Sequence, residues 1–123
     1  MTHQRKKLLV VDDEEDVRLF LQDFLMERDL DVDSAGSGIE ALEKLDLKPA
    51  DIVLLDVMMP AMDGLECLQR IKKKFPDTSV IMITALKDEV KIAQAKKFGA
   101  LNYIVKPFSL SYLESELMKL IGA

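Results

Sequence analysis

Three aspartates, a threonine and a lysine each stand at the end of a short apolar run, and their types suit one kind of chemistry. Asp12 and Asp13 follow residues 8–11, Asp56 follows 52–55, Thr84 follows 80–83, and Lys106 follows 101–105. A fold that gathers the ends of these runs brings three carboxylates within a few ångströms, where like charges need a cation or raised pKa values. Oxygen donors with no histidine nearby favour Mg²⁺, which keeps several waters and takes one or two carboxylates plus phosphate oxygens. Lys106 offers a mobile positive charge and Thr84 a hydroxyl donor, both suited to the oxygens of a phosphoryl group. Asp56 is then the natural nucleophile. Its carboxylate would attack phosphorus and become an acyl phosphate, while Asp12 and Asp13 hold the metal directly or through water. The neighbouring acids Glu14, Glu15 and Asp16 need no such role, because acidic residues complement the positive end of a helix dipole.

The elements that must position these groups are legible from hydrophobic spacing. The runs 8–11, 32–35, 52–55, 80–83 and 101–105 predict five strands. Those at 52–55 and 80–83 do not alternate with polar residues, the pattern of a parallel strand covered on both faces. Val17, Phe20, Leu21, Phe24 and Leu25 follow the i, i+3, i+4, i+7, i+8 spacing of an amphipathic helix. Ala41, Leu42 and Leu45 mark a second helix, Leu68, Ile71 and Phe75 a third, and Leu110, Leu113, Leu117, Leu120 and Ile121 a fifth. The fourth, over 87–98, is irregular, and its apolar residues Val90, Ile92, Ala93, Ala95 and Phe98 share no narrow stripe. Gly36 and Gly38 bracket a turn, Pro76 stops the third helix, and Gly99 falls where a helix closes in a left-handed conformation. Strict βα alternation with right-handed crossovers gives a doubly wound five-stranded parallel sheet of order 2-1-3-4-5, a flavodoxin-like (βα)5 fold. Ligands of such sheets bind beyond the carboxyl ends of the strands, where the polar residues above lie.

Composition narrows the class of partner. The 123 residues carry 17 Lys and Arg against 22 Asp and Glu, for a net charge of −5. That balance disfavours direct contact with nucleic acid or an anionic membrane. With 49% apolar residues the length suits one domain over 1–123, residues 1–6 forming an extended or disordered start that includes His3. Four apolar residues ahead of Asp12 are too few for a secretory signal, and the single cysteine, Cys67, suits a reducing cytoplasm. One turn before Ile71 and beside Leu68, Cys67 reads as a small apolar residue at the edge of the core.

In order and on the expected elements, Val10-Val11-Asp12-Asp13-Glu14, the stretch Leu54-Leu55-Asp56-Val57-Met58-Met59-Pro60 running on to Met62-Asp63-Gly64, Thr84-Ala85, and Gly99-Ala100 with Tyr103-Ile104-Val105-Lys106-Pro107-Phe108 resemble the receiver domains of two-component response regulators. The resemblance covers nearly the whole chain. It implies that Asp56 is the phosphoacceptor, Asp12 and Asp13 the acidic pair, Thr84 the switch hydroxyl, Tyr103 the coupled aromatic and Lys106 the catalytic lysine. It further implies that the backbone carbonyl of Met58 completes a Mg²⁺ site and that the Lys106–Pro107 bond is cis. The expected donor is a sensor histidine kinase or a histidine phosphotransfer protein, and the expected output a downstream protein target on the face of the fourth helix, fifth strand and fifth helix.

Two other classes compete. A receiver fragment of a longer DNA-binding regulator would share the chemistry, although no helix-turn-helix or basic segment lies within the chain, so output from these residues is by protein contact. An aspartyl-phosphate phosphatase of the haloacid-dehalogenase kind would need a second Asp two positions after the nucleophile, where Met58 stands. A flavodoxin-like FMN carrier would need phosphate-cradling donors in the first loop, where Asp12 and Asp13 oppose an anion.

Overall fold

The computed structural model describes residues 5–121, so His3 and most of the expected N-terminal start lie outside the described residues. The five apolar runs form strands β1 (Lys7–Val11), β2 (Asp31–Ala35), β3 (Ile52–Leu55), β4 (Ser79–Thr84) and β5 (Asn102–Val105). They alternate with helices α1 (Glu15–Met26), α2 (Gly38–Leu47), α3 (Gly64–Lys74), α4 (Glu89–Lys97) and α5 (Leu110–Ile121). All strand pairs are parallel and the order is β2-β1-β3-β4-β5, as the alternation predicts.

Every residue of β3 is buried, which is why its sequence shows no alternation. Successive side chains point to opposite faces and enter two different cores. Leu8, Val10, Ile52, Leu54, Ile81, Ile83 and Ile104 pack with Leu21 and Leu25 of α1 and Leu113 and Leu117 of α5. On the other face Leu9, Val11, Val53, Leu55, Val80 and Met82 meet Ala41 and Leu45 of α2, Leu68 and Ile71 of α3 and Ala95 of α4.

Helix ends follow local chemistry. Ser37 caps α2 through the Glu40 N–H, Asp63 caps α3 through the Glu66 N–H, and Asp88 caps α4 through Val90 and Lys91. Phe75 lies just past the end of α3, before Pro76, and Gly99 adopts φ +105 after α4.

Three expectations shift. The run at 101–105 loses its first residue, since Leu101 lies outside β5 and is exposed. Cys67 is not at the core edge but fully enclosed, and burial pushes its thiol up to about 12. Phe20 keeps helical spacing yet is 56% exposed, because the stripe that reaches the sheet is narrowed to Leu21 and Leu25.

Candidate functional site

The sheet ladder continues one residue past β1, β3 and β5, and this sets the site. The Asp12 N–H donates to the Ala35 carbonyl at 3.1 Å, the Asp56 N–H to Val11 at 3.0 Å, and the Lys106 N–H to Thr84 at 2.8 Å. Asp12, Asp56, Thr84 and Lys106 are thereby seated at the carboxyl edge around the point where strand order reverses. Asp12 and Asp56 are buried, Thr84 is fully so, and Asp13 is exposed on the rim.

Carboxylate oxygens of Asp12, Asp13 and Asp56 all lie within 4.8 Å of one another. Lys106 Nζ reaches Asp12 Oδ2 at 2.9 Å and Asp56 Oδ2 at 3.5 Å. One ammonium faces three acids, which leaves a site of excess negative charge walled by oxygen donors, and such a donor set could hold a hard metal cation. Asp12 is fully engaged, its Oδ1 accepting the Glu14 N–H at 2.9 Å. Asp56 Oδ1 accepts the Met58 N–H at 3.0 Å, and the Thr84 side chain is near enough to favour the charged form of this carboxylate. Burial pushes the Asp56 carboxyl above its ordinary value, assisted by Asp12 and opposed by Met58 N–H, Thr84 and Lys106. For Lys106 burial acts downward, but the Asp12 hydrogen bond and the two carboxylates outweigh it and hold the ammonium above its ordinary value. The Lys106–Pro107 peptide is cis.

Thr84 Oγ1 also accepts the Leu86 N–H at 3.2 Å. The half-buried Tyr103 points inward, its hydroxyl donating to the Leu86 carbonyl at 2.7 Å. Burial, then Asp88 and Asp56, raise its pKa. A single residue, Leu86, therefore bonds both side chains, Thr84 through its N–H and Tyr103 through its carbonyl.

All the side chains singled out from sequence converge here except Met58, which is 55% exposed beside Asp56 and meets the site through its backbone N–H. Met59 and Met62 are buried in the core next to α2 and α3. The role of Gly64 comes from its surroundings. A Cβ built there would stand 2.1 Å from the Asp56 carbonyl oxygen and 2.6 Å from Val57 Cα, so only glycine lets α3 begin this close to the loop. The Gly64 N–H donates to Val57 at 2.8 Å. In the same loop Ala61 adopts φ +67, a left-handed conformation costing a non-glycine residue about 1–2 kcal/mol. Arg18 carried no sequence signal beyond its place on α1, yet it donates to the Asp12 carbonyl at 2.7 Å. Phe20, with Val17, Pro107, Phe108 and Leu110, lines a groove of about 400 Å³ that also touches Lys106.

With this geometry in hand, the sequence profile of the response regulator receiver domain matches residues 8–118. The chemotaxis protein CheY of Listeria monocytogenes is 40% identical over 114 residues, covering 92% of this chain and 96% of that protein. The transcriptional regulatory protein ResD of Bacillus subtilis is 42% identical over 103 residues, and there the match covers 84% of this chain but 42% of the relative. A response regulator from Thermotoga maritima superposes with a TM-score of 0.87 at 32% identity, covering 98% of this chain and all of that one. The Vibrio cholerae chemotaxis protein CheY4 superposes at 0.89 with 29% identity, covering 95% and 99%. Together the matched profile and these relatives place the chain in the receiver-domain family of two-component response regulators.

Proposed function

We propose that Asp56 is the phosphoacceptor of a signalling switch, taking its phosphoryl group from a phosphohistidine on a sensor kinase or a histidine phosphotransfer protein. The carrying observation is the arrangement of Asp56. One oxygen accepts the Met58 N–H and the other faces Lys106, inside an acid cluster that could hold a divalent ion. An Asp56 oxygen attacks phosphorus in line, an acyl phosphate bond forms, and the P–N bond breaks, its electron pair returning to the imidazole. Mg²⁺, when bound, neutralises charge on the phosphoryl oxygens. Asp12, Asp13, Asp56 and the backbone carbonyl of Met58 are the groups that would hold it. Lys106 follows the developing charge, and the Thr84 hydroxyl turns toward a phosphoryl oxygen. The protein thus assists its own phosphorylation and dephosphorylation and is otherwise a signalling domain.

Output follows from the Leu86 connection. Movement of Thr84 pulls on Leu86 N–H and so on the carbonyl that holds Tyr103, biasing the packing of β5 against α4. Helix α4 buries only Ala95 among its residues, and Val90, Leu101 and Tyr112 expose apolar surface along the α4-β5-α5 face. We assign that face to the downstream protein target. The acidic charge argues against direct nucleic-acid contact, and among the described residues no helix is long and apolar enough to cross a membrane. The single cysteine fits the reducing cytoplasm in which this reading puts the protein. A second reading keeps this chemistry within a longer DNA-binding regulator. It is favoured by ResD, of which the chain spans less than half.

Incubation with acetyl phosphate and Mg²⁺ tests the proposal by intact mass. A gain of one phosphoryl group, lost in Asp56→Ala and in excess EDTA, is the expected result. An equal gain in either control overturns the assignment.

A further inference from the structure

Asp12 has every polar atom held by a different part of the molecule. Its N–H goes to Ala35 at the end of β2, its Oδ1 accepts the Glu14 N–H, and its Oδ2 meets Lys106. Its carbonyl accepts from Arg18 Nη1 at 2.7 Å, one turn into α1. That carbonyl belongs to the peptide plane leading into Asp13, the exposed member of the acid cluster, for which the structure gives no comparable anchor. Whatever fixes this plane fixes where the Asp13 Cα sits, and so limits where its carboxylate can reach.

The guanidinium is itself seated. It lies over the backbone of Gly36 in the β2–α2 turn, so close that a Cβ there would fall 3.1 Å from Nη1 and 3.4 Å from Cζ. Glu40 closes the far side, its Oε1 accepting the Gly36 N–H at 2.8 Å. The Gly36 N–H first, and Lys44 and Arg18 after it, hold the Glu40 carboxyl below its ordinary value, so an anion borders the turn that seats the guanidinium. A planar fork fits this slot over a bare glycine backbone, which an ammonium on a flexible stem does not fill.

Building on the proposed Mg²⁺ site, we propose that Arg18 is a positioning residue for the acid pair: by clamping the Asp12 carbonyl against the β2–α2 turn it sets the geometry of Asp13 for the metal. Gly36 is small because the guanidinium occupies its side-chain space. Groups that orient metal ligands from behind typically change affinity by about 10–100-fold when removed, and that sets the scale.

Calorimetric titration of the full chain with Mg²⁺ is the test, comparing wild type with Arg18→Ala, Arg18→Lys and Gly36→Ala, with thermal melts in EDTA reporting the fold. Arg18→Ala is expected to weaken Mg²⁺ binding by roughly 10-fold or more, without rescue by lysine. Gly36→Ala changes no charge and asks only the end of a flexible side chain to move, so it folds. It should weaken binding in the same direction by a smaller factor. Folded Arg18→Ala and Gly36→Ala chains that both bind Mg²⁺ as wild type does overturn the inference while leaving the function intact. Should Arg18→Ala fail to fold, Gly36→Ala decides alone. A wild type that neither binds Mg²⁺ nor gains a phosphoryl group on Asp56 overturns the functional reading, and this inference with it.

Discussion

Replacing Gly64 by alanine probes how tightly the loop after Asp56 is held. The added methyl would stand 2.1 Å from the Asp56 carbonyl oxygen, against 3.4 Å or more in an ordinary contact, a deficit of about 1.3 Å. The obstructing atoms are backbone of Asp56 and Val57, so no rotamer change relieves the clash, and α3 or the loop must move. Overpacking of this kind costs about 1–3 kcal/mol, of which the better helix propensity of alanine returns at most about 1 kcal/mol. A net loss of about 1–2 kcal/mol is expected, read as a lower midpoint in urea with an unchanged slope. Function should suffer more than stability, because a displacement near 1 Å of a reacting group costs on the order of 100-fold in rate. Intact-mass time courses with acetyl phosphate and saturating Mg²⁺ measure that rate. Wild-type phosphorylation, with stability within about 0.5 kcal/mol of wild type, would refute the claim that close approach at Gly64 places Asp56.

Three further outcomes are expected. Asp56→Asn should raise the melting temperature at pH 7 in EDTA. The folded carboxyl titrates above its ordinary 3.8, so the wild type loses stability as pH rises from there through the raised value, and the advantage of the variant should vanish below 3.8; a gap independent of pH would count against it. Met58 and Leu86 border a pocket of about 430 Å³ beside Asp56 and cannot orient water, so Met58→Asn with Leu86→Glu should shorten the acyl-phosphate lifetime, and decay by mass that is unchanged or slower would contradict this. Tyr103→Phe removes the donor to the Leu86 carbonyl and should raise amide exchange in α4 and β5 while leaving phosphorylation by acetyl phosphate intact; unchanged exchange would remove Tyr103 from the switch.

Strand order and the convergence of Asp12, Asp13, Asp56, Thr84 and Lys106 were legible because both rest on local patterns: unbroken apolar runs, helical spacing, and polar residues at run ends. What the sequence hid depends on contacts between distant backbones. Phe20 carries the same periodicity as Leu21, and only the docking angle of α1 turns one outward and the other into the core. Cys67 sits beside Leu68 in either reading, and its full enclosure follows from how α3 meets α2, where Gly38 brings its carbonyl to 4.0 Å from the sulfur. Arg18 looks like any solvated arginine until Gly36 is seen beneath it. Tyr103 is marked by its neighbours in sequence, but its partner is a carbonyl, and every residue carries one of those.

Lys106 reaches Asp12 across 94 positions of chain, so during synthesis the three acids emerge long before the charge that balances them. A partial fold that pairs β1 with β3 brings Asp12, Asp13 and Asp56 together with no ammonium among them, and their repulsion works against it. Burial of the central strands and neutralisation of their carboxyl ends are completed together when β5 joins the edge of the sheet. A chain cut between α4 and β5 would hold its acids apart and stay open to proteases. Under the proposed function a divalent cation would stand in for the missing lysine, an aid to assembly as well as to chemistry.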